Sequence, residues 1–253
     1  MIRYKNAKQI EGIRESCKLL ARMYKEMTPL VLPGVATIEL ERWAQRWIKE
    51  RGGTPAFMGY GPRDNPFPAA LCISINEEVI HGIPSKRKIR EGDLVSIDSG
   101  IKLNGYFSDK SVTIEAGKVS EDFHALNVVT RECLYKGIAA ARAGERLFSI
   151  GRAVEAHARA AGYGIVHQFC GHGVGLEVHE DPPVSNCPKD SPNPRLREGM
   201  VLAIEPMINL GTGEIEILED GWTVVTSDGK ASAHWEHTIA IFSDHTEILT
   251  EDD

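Results

Sequence analysis

Two aspartates lie on either side of a predicted turn in the segment DLVSIDSGIKLNGYFSD, residues 93–109. Asn104-Gly105 favours a two-residue β-hairpin turn, and counting outward from it places Asp98 and Asp109 on one face as diagonal neighbours. Such neighbours lie about 7–8 Å apart between their backbones. Two inward carboxylates at that distance can bind a pair of cations, and without a metal or a proton they would repel each other. The alternative is that both face solvent, as one side of an antiparallel sheet commonly does.

Two histidines flank a glycine-rich segment, CGHGVGLEVH, at residues 170–179. Its three glycines permit unusual backbone angles and the close approach of other groups. Neutral imidazole suits a transition metal, so His172 and His179 are candidates for binding a metal and for binding or polarising a substrate. The alternative is a glycine-rich loop that carries two surface histidines.

Two glutamates occupy the ends of apolar segments that predict strands. Glu205 closes the strand in MVLAIEP, and Pro206 ends it. Glu236 lies in AHWEHT and opens a predicted strand at residues 238–242. A glutamate buried in such company is rarely left unpaired, although a surface position at the end of a strand explains either residue taken alone.

The candidate ligands are two aspartates, two glutamates and one histidine. A single catalytic zinc ion usually takes three protein ligands, often histidines. A set of five ligands rich in oxygen suits two divalent ions with bridging carboxylates, which can generate hydroxide near neutral pH and polarise a scissile carbonyl. Covalent catalysis has no support, because the chain has no GxSxG motif and no cysteine in the setting of a nucleophile.

The composition is that of an ordinary globular protein. The chain has 253 residues, which is long enough for one large domain and short for two. Its net charge of −7 does not predict a nucleic-acid-binding surface. No apolar stretch typical of a signal peptide follows the N-terminus, and no run approaches the roughly 20 apolar residues of a membrane span. Five scattered cysteines form no CxxC pair, which favours free thiols in a reducing cytoplasm.

The apolar spacing predicts helices and strands in an order that recurs. Helices are predicted at residues 7–27, 37–52, 120–141 and 147–161. Strands are predicted at residues 71–75, 94–102, 106–114, 201–204, 215–218, 222–226 and 238–242. Two helices followed by strands, twice, predict one α+β domain with two similar halves, about 1–118 and 119–253. Residues 185–197, rich in Pro, Asn and Asp, predict a surface loop.

The chain resembles the type I methionine aminopeptidases over nearly its whole length. The motifs that carry the resemblance are CISINEEVIHGIP (72–84), GDLVSID (92–98), GHGVG (171–175), HEDP (179–182), GMVLAIEP (199–206) and WEHT (235–238). The resemblance implies the α+β "pita-bread" fold, in which helices flank a curved antiparallel sheet with two pseudo-symmetric halves. Only 25 residues separate His179 from Glu205, which leaves no room for the large helical insert of the type II enzymes.

The resemblance also implies a set of metal ligands. The five ligands would be Asp98, Asp109, His172, Glu205 and Glu236. Asp109 and Glu236 would bridge two ions. Asp98 would hold one of the ions, and His172 with Glu205 would hold the other.

Three residues would act in catalysis by the same resemblance. His81 matches the family's histidine near the scissile bond, which stabilises the tetrahedral intermediate or shuttles a proton. His179 matches the histidine that contacts the substrate amide. Glu205 also matches the carboxylate that does general acid/base work on the attacking water.

A small apolar pocket would select the substrate side chain. By resemblance its lining includes Tyr60, Phe67, Cys72 and Trp222, although aromatic residues near strands are usually part of a core. An unbranched thioether fills such a pocket well, and its sulfur gains from aromatic edges. Many type I enzymes carry a bulky aromatic where this chain has Val178, which is closer to the related Xaa-Pro peptidases.

Two further features belong to this comparison. An apparent insertion at residues 62–66 directly precedes the pocket segment. The family also has a monovalent cation held by backbone carbonyls, which would fall near Asn76, Glu78 and Ser232.

We therefore expect a cytoplasmic monomer that removes the initiator methionine from nascent proteins, using two divalent ions (Co, Mn, Fe or Zn) and a bridging water or hydroxide. No basic tail or helix predicts contact with the ribosome, although nascent chains are the expected substrate. An Xaa-Pro aminopeptidase or dipeptidase is the alternative enzyme, and those chains usually carry an extra N-terminal domain. A non-catalytic binding protein is the alternative from another class; such relatives lose metal ligands, and all five positions are filled here.

Overall fold

The computed structural model describes residues 1–188 and 192–251. Its α-helices are α1 (Ala7–Met27), α2 (Thr37–Glu50), α3 (Glu121–Ala140) and α4 (Phe148–Ala160), with a short 3-10 helix at Thr28–Leu30. All four α-helices were predicted from the apolar spacing to within two residues at each end. No helix among the described residues is both long and apolar enough to cross a membrane.

Capping side chains explain where α1 and α3 begin. Asn6 precedes α1, and its side chain accepts a hydrogen bond from the backbone N–H of Gln9 at 3.0 Å. The Gln9 side chain in turn accepts from the backbone N–H of Asn6 at 2.9 Å. Ser120 accepts from the N–H of Phe123 in the same way at the start of α3. These side chains satisfy backbone donors that have no partner within the helix.

The strands form one large sheet and two small ones. The strands are β1 (Thr54–Pro55), β2 (Leu71–Ile75), β3 (Glu78–Ile80), β4 (Leu94–Leu103), β5 (Tyr106–Glu115), β6 (Gly164–Ile165), β7 (Gly171–Gly173), β8 (Glu180–Val184), β9 (Val201–Ile204), β10 (Met207–Asn209), β11 (Ile215–Ile217), β12 (Val224–Thr226), β13 (Ser232–His234), β14 (Glu236–Ile241) and β15 (Thr246–Ile248). The nine-stranded sheet has the order β1-β4-β5-β14-β9-β7-β8, with β2 beside β4 and β15 beside β14. The small sheets are β13-β10-β6 and β11-β12-β3.

Each pair of helices covers its own part of the large sheet. Leu20 of α1 and Leu40 of α2 pack in one buried cluster with Ile97 of β4. Leu134 of α3 and Ile150 of α4 pack in a second cluster with residues of β9 and β14. Every paired strand runs antiparallel to its neighbour, from β1 with β4 to β7 with β9. The α+β prediction is confirmed.

The hairpin β4–β5 has the register predicted from its turn. Leu103 pairs with Tyr106 across Asn104-Gly105, and the pairing continues without a bulge to the ends of both strands. Asp98 lies opposite Ser111, and Asp109 lies opposite Gly100. The two aspartates therefore share a face, as predicted, because residues two apart on a strand point to the same side.

Several short strands were not predicted. The glycine-rich segment at 171–173 is strand β7, and Glu180–Val184 is strand β8 beside it. Gly171 and Gly173 lie so close to neighbouring backbone carbonyls that an added Cβ would come within 2.3 Å of each. The glycines therefore serve close strand packing, and they leave no alternation of side chains from which a strand could be recognised.

The prediction of a surface loop at 185–197 is wrong in part. No helix or strand is present at 185–188 or 192–197, and residues 189–191 lie outside the described residues. Asn186, Cys187 and Leu196 are nevertheless buried. Leu196 packs in the buried cluster with residues of α3 and α4, so this part of the segment belongs to the core.

Candidate metal centre and active site

Strand register places the five candidate ligands on one face of the large sheet. Asp98, Ser111 and Glu236 form one row across β4, β5 and β14. A second row runs from Thr238 through Ala203 to His172 across β14, β9 and β7. Asp109 lies two residues before Ser111, and Glu205 lies two residues after Ala203. Residues opposite each other or two apart share a face, so all five side chains converge.

Hydrogen bonds that involve backbone groups position two of these residues, His172 and Asp109. His172 Nδ1 lies 2.9 Å from the carbonyl oxygen of Gly173. A proton on Nδ1 donates to that oxygen, which leaves the lone pair of Nε2 free for a metal. Thr238 Oγ1 accepts from the N–H of Asp109 at 3.2 Å and donates to the carbonyl oxygen of Asp109 at 2.7 Å. This contact ties β5 to β14 at the point where their carboxylates meet.

The donor atoms are close enough to share cations. Single donor atoms from Asp109, His172 and Glu236 all lie within 4.8 Å of one another. His172 Nε2 lies 3.7 Å from Asp109 Oδ2 and 3.6 Å from Glu205 Oε1. These separations exceed hydrogen-bond length, and they are those of atoms that ligate one ion from different sides.

Burial dominates the electrostatics of the cluster. It raises the pKa of Asp98 to about 7 and that of Glu205 to about 8. Burial, followed by the charge of neighbouring carboxylates, raises the pKa values of Asp109 and Glu236 well above their ordinary range. Burial also lowers the pKa of His172 to about 3, so this ring is neutral at physiological pH. A group of buried carboxylates beside a neutral imidazole calls for a positive charge between them.

The buried oxygens themselves show that cations fit this site. Asp98 Oδ1, Asp109 Oδ1 and Glu236 Oε1 are inaccessible to solvent and have no hydrogen-bond partner among the described residues. Buried carboxylate oxygens are rarely left without a partner, because desolvation makes them costly. Four carboxylates and one imidazole are donors that divalent transition metals accept. The residues present therefore fit a divalent metal centre.

Every site residue predicted from the sequence lines one cavity of about 270 Å³. Those residues are Tyr60, Phe67, Cys72, His81, Asp98, Asp109, His172, His179, Glu205, Trp222 and Glu236. The remaining lining residues, which were not predicted, are Phe57, Ile80, Gln168, Phe169 and Cys170. Acidic and imidazole groups thus share one cavity with an apolar wall.

Two further histidines border the metal-ligand cluster, which comprises the five candidate ligands Asp98, Asp109, His172, Glu205 and Glu236. The His179 ring lies 4.1 Å from that of His172 and 4.8 Å from that of Tyr60, between centroids. His81 has a φ of 59°, in the left-handed region that residues other than glycine rarely adopt. Its ring packs edge-on against Phe169 and Trp222. Burial lowers the pKa values of His81 and His179 to about 4, so both rings are neutral.

The apolar wall is a compact cluster. Phe57, Phe67, Cys72 and Val178 are buried together, with Trp222 packed against them. Phe57 was not predicted, and its ring also lies against Gly100, where an added Cβ would come within 3.1 Å of it. Val178 packs in this cluster but is not among the described residues that line the cavity, so it supports the wall without facing the pocket.

Comparison with known proteins agrees with this geometry. Residues 11–242 match the sequence profile of "Metallopeptidase family M24". The chain belongs to this family.

The similar members of M24 span nearly the whole chain. It is 55% identical to "Methionine aminopeptidase" of Treponema pallidum over 99% of this chain and 97% of that protein. It is 44% identical to "Methionine aminopeptidase 1" of Bacillus subtilis, with 99% of each chain covered. The crystal structure of methionine aminopeptidase from Rickettsia prowazekii has a TM-score of 0.95 and 35% identity, covering 99% of this chain and 100% of that one.

The fold extends to other M24 peptidases. Prolidase from Pyrococcus furiosus superposes with a TM-score of 0.80 at 24% identity, covering 99% of this chain and 66% of that chain. At this identity the likeness shows the fold alone. Together with the closer relatives it confirms the pita-bread prediction.

Further hydrogen bonds hold the backbone of Glu205 and the segments expected to bind a monovalent cation. Asn186 Nδ2 donates to the carbonyl oxygen of Glu205 at 2.8 Å. The N–H of Ser232 donates to the carbonyl oxygen of Asn76 at 2.8 Å, which brings these two segments together. Neither Asn186 nor Phe57 lies in a motif, and no signal in the sequence links them to residues so far along the chain.

Asn65 fixes the position of Trp222. The side-chain Nδ2 of Asn65 donates to the backbone carbonyl oxygen of Asp220 at 3.0 Å. The backbone carbonyl oxygen of Asn65 accepts from the Trp222 indole N–H at 3.1 Å. Trp222 in turn lies edge-on to Phe67, with centroids 5.2 Å apart. Asn65 belongs to the apparent insertion at 62–66, so this insertion contacts the pocket wall from outside.

We expect Asn65→Ala to weaken substrate binding without affecting the metal centre. The substitution removes the Nδ2 hydrogen bond to the Asp220 carbonyl oxygen, worth about 0.5–1.5 kcal/mol, whereas the backbone oxygen of residue 65 still accepts from the indole. The segment that carries Trp222 is then less restrained, which should raise KM for a methionyl peptide about 2- to 10-fold. The kcat value and the affinity for Mn(II) should stay near those of the wild type. Steady-state kinetics and titration calorimetry measure these quantities. The matched control is Asp64→Ala, because Asp64 is the exposed residue next to Asn65. An unchanged KM in the Asn65 variant would contradict the expected role of Asn65.

Proposed function

We propose that this protein is a type I methionine aminopeptidase that hydrolytically removes the initiator methionine from nascent chains. The observation that carries the proposal is the single cavity in which five potential metal ligands, two neutral histidines and an apolar wall meet. The names of relatives that are up to 55% identical over almost the full chain support methionine as the residue removed.

The metal-ligand cluster supports two divalent ions rather than one. By the family resemblance, Asp109 and Glu236 would hold both ions. Asp98 would complete one site, and His172 with Glu205 would complete the other. When bound, the ions supply Lewis-acid chemistry, polarising the scissile carbonyl and lowering the pKa of the attacking water. Co, Mn, Fe and Zn are all compatible with this ligand set.

Side chains of the protein would manage protons and orientation. Glu205, which is ionised when it holds a cation, would accept a proton from the attacking water and return it to the leaving amine. His179 lies beside His172 and would donate a hydrogen bond to the substrate amide. His81 is held by its unusual backbone angle and by Phe169, and it would stabilise the tetrahedral intermediate or shuttle a proton.

The apolar wall would receive the methionine side chain. The rings of Phe67 and Trp222 pack edge to face, with their planes 74° apart, which suits a polarisable thioether. Cys72 adds a small buried surface, and Tyr60 closes the side next to His179. A long unbranched side chain would therefore fill the cavity better than a branched one.

The setting of this activity is part of the proposal. We expect one catalytic domain, with halves at about 1–118 and 119–253, acting as a monomer in the cytoplasm on nascent chains. A monovalent cation held by carbonyls near Asn76, Glu78 and Ser232 would fasten the segment next to the site. The adjacent backbones of Asn76 and Ser232 support that position.

A comparison of two tripeptides tests the function. The protein loaded with Mn(II) should release methionine from Met-Ala-Ser and little or no alanine from Ala-Pro-Ala, measured by chromatography of the free amino acids. The reaction should stop in EDTA and resume when Mn(II) is restored. Preferential release of alanine from Ala-Pro-Ala would instead indicate an Xaa-Pro peptidase, the fold neighbour represented by prolidase. Release from neither peptide would favour a non-catalytic protein.

A further inference from the structure

His234 lies directly behind the metal-ligand cluster and is absent from the predicted set. It is the last residue of β13 and is only 1% exposed. Its N–H donates to Thr113 Oγ1 at 3.0 Å, and its carbonyl oxygen accepts from the same hydroxyl group at 2.8 Å. The backbone of His234 is therefore held at both its N–H and its carbonyl oxygen.

The ring of His234 faces Glu205. Its Nε2 lies 3.4 Å from Glu205 Oε2, is inaccessible to solvent, and has no hydrogen-bond partner among the described residues. The other carboxylate oxygen, Oε1, faces His172 Nε2 at 3.6 Å. The Glu205 carboxylate is therefore flanked by one histidine at each oxygen, and only His172 borders the cavity.

We propose that His234 is a positioning residue that donates a hydrogen bond from Nε2 to Glu205 Oε2 and so directs Glu205 Oε1 toward His172. When Glu205 is ionised, as a metal ligand must be, an Nε2 without a proton would point its lone pair at a carboxylate oxygen, which is unfavourable. A proton on Nε2 gives this buried nitrogen a partner, and a shift of a few tenths of an ångström brings the two atoms to ordinary hydrogen-bond distance. This inference deepens the proposed function, because Glu205 is its metal ligand and its general base.

The arrangement divides the work of Glu205 between its two oxygens. Asn186 holds the backbone carbonyl of Glu205, and His234 holds the far oxygen. The near oxygen is then free to bind a cation together with His172. Partners that orient a ligand from outside commonly change metal affinity by 10- to 100-fold when they are removed.

Substitution of His234 by leucine and by glutamine separates donation from packing. Leucine keeps the volume and removes the donor, whereas glutamine retains an N–H that can reach Glu205. We expect His234→Leu to weaken Mn(II) binding to the metal-free protein 10- to 100-fold by titration calorimetry, and His234→Gln to recover most of the loss. His237→Gln is the matched control, because His237 is buried on β14 but its Nδ1 contacts Thr250 instead.

Two results would overturn the inference. One is wild-type Mn(II) affinity in a folded His234→Leu variant. The other is a ¹⁵N NMR spectrum of the Zn(II)-loaded wild type, in which Glu205 is ionised, that shows the His234 Nε2 unprotonated. This measurement needs no variant to fold. Neither readout uses a peptide substrate, so the proposed function stands or fails separately in the tripeptide assay.

Discussion

Glu205→Gln should lower kcat for methionyl peptides by about 10³-fold. The amide cannot accept a proton from the attacking water, and general-base catalysis typically contributes 10²–10⁴-fold. Removing the charge also weakens the cation site that Glu205 would share with His172, whose Nε2 lies 3.6 Å from Oε1. Methionine release from Met-Ala-Ser at saturating Mn(II) measures the effect, and metal analysis of the purified variant separates loss of metal from loss of the base.

The matched control for this variant is Glu216→Gln. Glu216 is an exposed glutamate on β11, so its substitution removes one negative charge without touching the cavity. Activity of the Glu216 variant should stay within about twofold of the wild type, as for most surface substitutions. Full activity in Glu205→Gln would exclude the proposed mechanism, whatever the control shows.

Removal of divalent cations should make the free energy of unfolding fall as the pH rises from 6.5 to 8.5. Burial raises the pKa of Glu205 to about 8, against 4.5 for an ordinary glutamate, and raises the pKa values of Asp109 and Glu236 well above the ordinary range. In this pH range the unfolded chain has released these protons and the folded chain retains them. Each retained proton lowers the free energy of unfolding by about 1.4 kcal/mol per pH unit.

Asp98 and the histidines set the lower limit of this pH window. Asp98, with a pKa of about 7, lowers the free energy of unfolding with rising pH mainly below that pH. Burial lowers the pKa values of His172 to about 3 and of His81 and His179 to about 4. Below pH 6.5 the unfolded histidines gain protons that the folded ones do not, which opposes the effect of the carboxyl groups. The free energy of unfolding should therefore depend less steeply on pH below 6.5 than between 6.5 and 8.5.

Urea denaturation of EDTA-treated protein at pH 6.5, 7.5 and 8.5 measures this dependence. Mn(II) should reverse the slope, because cations displace the retained protons and bind more tightly as the pH rises. Glu236→Gln is an informative comparison, since it removes one of the titrating carboxylates and should flatten the slope. A free energy of unfolding that is constant or rises with pH in EDTA would show that the cluster is already ionised without metal.

Local patterns in the sequence determined the elements near the first two ligands. Apolar spacing predicted the four α-helices, and capping side chains at Asn6 and Ser120 begin α1 and α3, since these signals act within a few residues. Asn104-Gly105 fixed the register of β4 with β5, and that register alone put Asp98 and Asp109 on one face. Family motifs supplied the identities of the remaining ligands, but the physics of those segments left a surface position open for Glu205 and Glu236.

Only the tertiary structure decided that the five candidate ligands meet. Glu236 joins Asp98 through the pairing of β14 with β5, and His172 joins through β9 and the glycine-rich strand β7. Such pairings link residues far apart in the chain and depend on which surfaces bury one another, so no local pattern encodes them.

The surroundings of the site follow the same division. Phe57, Asn65 and His234 carry no motif, and each acquires its position from a partner more than 25 residues away: Val178, Trp222 and Glu205. By itself, the sequence determined the helices, one hairpin and the types of ligand, because those depend on neighbours along the chain. The three-dimensional packing decided the cavity, its apolar wall and the contact behind Glu205, because those depend on neighbours in space.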